Sequence, residues 1–185
     1  MRAGEEKLKK NIAEYILYIW QMEDLVRSFQ FDANVIRQSI LSPQIEDEKE
    51  LELEMEWFNE LIRKMKNQQL VQKGHLNELN EIIQELFYLH NTLLNVAKDQ
   101  AYVALNDAAA EAMEEFRFKS KLNDMNTVEL CLNGLYLKLL MRLSKQEITS
   151  ATETAFDSFR KLIAYLTIQY HKMKNGDLQF NYNLN

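Results

Sequence analysis

The chain has 185 residues, 46% of them hydrophobic and 27% charged, with a formal net charge of −6. That balance excludes a disordered polymer, and its acidity argues against binding driven by neutralising nucleic-acid phosphates or an anionic membrane face. With 4 glycines and 1 proline the chain lacks the turn residues of a sandwich or barrel, so long helices remain.

Apolar residues recur at helical spacing from the start. Leu8, Ile12, Tyr15, Ile19, Met22, Val26 and Phe29 form one stripe, which predicts a first helix over 5–30. Asp32 is placed to cap a short second helix that Pro43 stops. An acidic run from Glu46 opens a third helix, to about Gln68, where carboxylates suit the positive end of the helix dipole. This run reads as a solvated face or as a docking surface for a basic partner, with Trp57 as its anchor. Gly74 breaks the chain before a fourth helix carrying Leu79, Ile83, Leu86, His90 and Leu93. A fifth helix covers 99–120, and its Ala108-Ala109-Ala110 allows close approach of a neighbour. Asn126 with Glu129 caps a sixth over 127–144, and Ser150 with Glu153 reads as the capping box of a seventh that Gly176 ends.

The expected fold is therefore an all-α, single-domain bundle of about six or seven helices over residues 1–176, with a flexible tail at 177–185. The helices over 5–30 and 127–144 are apolar nearly all round and are expected to form its central pair. The longest uncharged stretch, Leu86–Ala97, is too short and too polar to span a bilayer. The mixed charges of the first residues are not those of a signal peptide, and the single cysteine, Cys131, excludes an internal disulfide. These features point to the cytoplasm, with no membrane or nucleic-acid partner. A local basic patch at Arg117, Lys119 and Lys121 is the one feature leaning the other way.

The familiar catalytic signatures are missing. The glycines are scattered, no HExxH or Glu-x-x-His spacing exists, and no cysteine pair is available, so neither a cofactor nor a metal site is expected. What remains is a set of ionisable residues on or beside apolar faces: Glu23, Asp24, Arg27, His75, His90 and Arg142. Buried charges need partners. Glu23 or Asp24 is therefore expected to pair with Arg142, with His90 or Arg27 as a further partner. The set reads either as a structural network that fixes the packing register or as a polar pocket for a small ligand.

Three segments also carry a resemblance. Trp20-Gln21-Met22-Glu23-Asp24-Leu25-Val26-Arg27, Lys73-Gly74-His75-Leu76, and Leu140-Met141-Arg142-Leu143 with Glu147-Ile148 together resemble a family of uncharacterised all-helical proteins from Bacteroidetes, a domain of unknown function. The resemblance runs from about Lys7 to Lys174; it implies a helical fold and a cytoplasmic bacterial protein, and supplies no activity. The function expected from the residues is a non-enzymatic interaction or scaffolding domain that associates with itself or with another protein. The alternative is a ligand-binding bundle, or an enzyme, built around Glu23, His90 and Arg142.

Overall fold

The computed structural model describes residues 2–179. Among these, every regular element is helical. They are α1 (Arg2–Lys10), α2 (Ile12–Ser28), α3 (Ala33–Ile36) with a π-helical turn at Arg37–Leu41, and α4 (Glu48–Asn67). Then follow α5 (Asn77–Asn91) with a second π-helical turn at Thr92–Val96, α6 (Gln100–Ser120), α7 (Thr127–Leu143) and α8 (Ser150–Asn175). The all-α architecture is as expected. The chain groups into two compact units whose boundary falls between Glu81 and Ile82, inside α5.

In the first unit α2 packs against α1 and α4, and α3 against α4. The single helix expected over 5–30 is broken at Asn11. Its backbone is extended there, and its side-chain oxygen accepts hydrogen bonds from the amides of Ala13 and Glu14. The asparagine side chain takes the place of the carbonyls of Lys9 and Lys10 that an uninterrupted helix would offer these amides, and the chain restarts as α2. The buried line of α2 is Ile12, Ile16, Ile19, Trp20, Glu23 and Val26. It is rotated slightly from the stripe expected through Tyr15 and Met22, so Glu23 falls within the core line rather than beside it.

In the second unit α8 packs against both α6 and α7, and α6 also touches α7. Phe116, Phe156 and Phe159 meet edge to face in this core. The two helices expected as the central pair fall one in each unit, and within the second unit it is α8 that touches both neighbours. Nor is α7 covered on all sides: Val128, Leu130, Cys131, Leu132 and Tyr136 are buried, whereas Leu137, Leu140 and Leu143 are exposed.

Most boundary signals act as read. Asp32 accepts from the amides of Asn34 and Val35, Asn126 accepts from Glu129, and Gly176 ends α8 in a left-handed conformation. The cap of α8 is Thr149, not Ser150. Its extended backbone sets its hydroxyl to accept from the amide of Thr152, which frees the Glu153 carboxylate for Lys138 and Arg142. Of the tail read at 177–185, residues 180–185 lie outside the described residues. Among the described residues no helix is long and apolar enough to cross a membrane.

Candidate functional site

Four of the six ionisable residues picked from the sequence converge in the first unit. α2 supplies Glu23, Asp24 and Arg27 within one turn of each other, and the segment following α4 passes beside them. Gln69 and Gly74 both take left-handed φ values, which turn that segment sharply; glycine tolerates this without the steric cost a side chain brings.

Arg27 holds the segment by its main chain. Its Nε donates to the carbonyl of Leu70 at 3.2 Å and its Nη2 to the carbonyl of Gly74, while Nη1 donates to Asp24 at 2.8 Å. A planar guanidinium can satisfy three acceptors at once without losing its charge, which an ammonium group cannot do in this geometry.

Glu23 is completely buried. Both of its oxygens are used: Oε1 accepts from the backbone N–H of Leu76 at 2.9 Å, and Oε2 lies 2.6 Å from Nδ1 of His75. A carboxylate can only accept, so Nδ1 carries a proton, and in the neutral ring the lone pair is on Nε2. The imidazole stacks on the buried indole of Trp20, with ring centres 4.3 Å apart and planes inclined by 19°. Hydrogen bonds to Nδ1 and stacking on the ring together fix both the tautomer and the orientation of His75.

The two other predicted residues lie in the second unit with partners of their own. His90 is 3% exposed, with Nδ1 2.7 Å from the Tyr102 hydroxyl and its ring against Phe87. Burial pulls its pKa down from 6.5 to about 4, and burial also raises that of Tyr102. Arg142 was expected on the buried stripe of α7, yet its side chain is 62% exposed and bound to Glu153 at 3.0 Å. The expected pairing of Glu23 or Asp24 with Arg142 thus gives way to local partners in each unit. The reason is that the fully buried residues of α7 end at Tyr136, and Arg142 lies in the last turn beside the exposed Leu140 and Leu143.

The imidazole of His90 gives stability a pH dependence. Between about pH 4 and 6.5 the unfolded chain binds this proton and the native protein does not, so native stability rises with pH across that window. The contribution is complete above 6.5 and is lost as pH falls towards 4; it amounts to about 3 kcal/mol at most. Urea unfolding at pH 7 and pH 4 of the native protein and of His90→Gln checks this. The native protein should lose more stability than the variant, and equal losses would refute the assignment.

Sequence reasoning missed Trp20, Tyr102 and Arg117. Arg117, read as part of a basic patch, is turned onto the loop between α6 and α7, where Nη1 donates to the carbonyls of Leu122, Asn123 and Met125. It repeats in the second unit what Arg27 does in the first. Cys131 is fully buried, and burial pushes its thiol up to about 12, which leaves it unreactive. A shallow surface cleft of about 550 Å³ beside the start of α6 is lined by Asn95, Lys98, Gln100 and Asp107 among others. Among the described residues no three His, Cys, Asp or Glu side chains come together in a way that could hold a metal ion.

The fold and this cluster define an all-α protein in which a buried glutamate and an arginine on one helix hold a histidine-bearing loop. The chain belongs to a family described as a domain of unknown function (DUF4924), whose profile it matches over residues 1–177. No curated protein and no solved structure matches it.

Proposed function

We propose that the protein is a non-enzymatic interaction domain of the bacterial cytoplasm that associates with a second copy of itself through the last turns of α7. The observation that carries this reading is the row Leu137, Leu140 and Leu143, which are 40%, 39% and 58% exposed. A spacing of three residues keeps them on neighbouring turns of one helix side. Contiguous exposed apolar surface of this kind marks partner contacts. The same row on a second copy is self-complementary, as a twofold interface requires. A single buried cysteine supports a reducing compartment, and the resemblance to Bacteroidetes chains supports a bacterial source.

Native mass spectrometry across a range of protein concentrations is the test. A dimer is expected, and Leu137→Glu combined with Leu140→Glu should give a monomer with unchanged helical circular dichroism. A wild-type chain that stays monomeric throughout, or a double variant that still dimerises, would overturn the reading. The alternative, a small-ligand-binding bundle, draws on the polar cluster at His75; a retained mass adduct that disappears in His75→Gln would favour it.

A further inference from the structure

The chain has three histidines. They differ in what their outer ring nitrogens can reach. His90 is buried against Tyr102 and Phe87, and His171 has its Nε2 enclosed with no partner among the described residues. The side chain of His75 is 29% exposed; its Nδ1 is committed to Glu23, and its Nε2 is neither hydrogen-bonded among the described residues nor enclosed. A buried carboxylate behind an imidazole with an open Nε2 in front is the arrangement that fits the ring to give up its lone pair. Any positive charge the ring gains is met by the carboxylate without moving a proton.

The charges around the open side of the ring select the electrophile. The segment Gln69–His75 contains no carboxylate, and besides the imidazole its one ionisable side chain is the exposed Lys73. The Arg27 guanidinium is bonded to the carbonyl of Gly74, the residue next to His75. Three neighbouring acids already have partners: Glu23 is buried against Nδ1 of the ring itself, Asp24 is on Arg27, and Glu78 is on Lys64 and Gln68. An anionic electrophile meets the exposed Lys73 there and no unpaired carboxylate of these residues, although the chain as a whole is acidic.

We propose that His75 is a phosphoryl-accepting residue, taking the phosphoryl group of a small acyl phosphate or phosphoramidate on Nε2. With an acyl phosphate, the Nε2 lone pair forms the N–P bond as the P–O bond to the acyl oxygen breaks, and that oxygen leaves with the bonding pair as a carboxylate. Nδ1 keeps its proton throughout. The positive charge placed on the ring lies 2.6 Å from the Glu23 carboxylate, while stacking on Trp20 and the Arg27 clasp on Gly74 hold the ring and its backbone in place. Glu23, Trp20 and Arg27 are positioning residues in this scheme, and His75 alone touches the transferred group.

The experiment incubates the full-length chain with phosphoramidate, and separately with acetyl phosphate, and follows intact mass and the modified residue by mass spectrometry. The expected result is a single, acid-labile phosphoryl group on His75 with either reagent, absent in His75→Gln. It should form at least about tenfold faster in the folded protein than in the urea-unfolded chain, where no histidine is positioned. Glu23→Gln, with its fold verified by circular dichroism, should slow transfer while leaving the site of modification unchanged. The unfolded-chain comparison stands on its own should that variant not fold. Modification at His171 or a lysine, transfer of the acetyl rather than the phosphoryl group, or equal rates for folded and unfolded chains would each overturn the proposal.

Discussion

Replacing Glu23 by alanine is expected to destabilise the first unit by about 4 kcal/mol. The figure combines three losses at a fully buried position. The N–H of Leu76 loses its acceptor, the imidazole of His75 loses the carboxylate on Nδ1, and the space left by one methylene and a carboxylate is not refilled. Glu23→Gln keeps an amide oxygen for Leu76 and most of the volume, so about half that loss is expected. Trp20 and Trp57, the two tryptophans of the chain, both lie in the first unit, so their fluorescence in a denaturant titration reads out this unit directly. A loss below about 1 kcal/mol for the alanine variant would mean that Glu23 does not hold the loop.

Gly134 is the second position where a small change has a large expected effect. A methyl group built there would lie 2.6 Å from Cδ2 and 2.8 Å from Cε2 of Phe159. That ring is fully buried and edged by Phe116 and Phe156, so it has no free direction in which to yield. Alanine gains up to about 1 kcal/mol of helix propensity over glycine. Overpacking of this severity costs about 1–3 kcal/mol, so Gly134→Ala should be a net loss despite the better helix former. Gly134→Leu has no room at all and should cost about 4 kcal/mol or more, separating α7 from α8. Thermal unfolding of both variants checks the order. An alanine variant more stable than the native protein would show that Phe159 can move aside.

The local signals in the chain were legible because their physics is local. Asp32, Asn126 and Gly176 act within a turn of themselves, and each caps the helix it was read to cap. Thr149 displaced Ser150 because adjacent hydroxyl residues compete for one role, and only backbone geometry decides between them. Glu23, Asp24, Arg27 and His75 were all recognisable as polar groups needing partners. Their pairing was not, since His75 stands 52 residues from Glu23 and Gly74 stands 47 from Arg27. Helical periodicity says which way a side chain faces, and says nothing of which distant loop it meets. Arg142 shows the same limit from the other side: a regular stripe through Val128, Leu132 and Leu135 does not reveal where the covering helix ends. Arg117 was legible only as a charge, because its acceptors are backbone carbonyls that carry no sequence signature.

The bond from Leu76 to Glu23 has a consequence for solvent exchange. Leu76 lies outside any helix, between an exposed turn and the start of α5, and amides in such places ordinarily trade their hydrogens with water quickly. Here the amide points at a carboxylate that water does not reach. Its hydrogen can leave only when the loop lifts away from α2. Leu76 should therefore be a slow-exchanging position surrounded by fast ones, and its rate reports how often the loop that carries His75 comes loose.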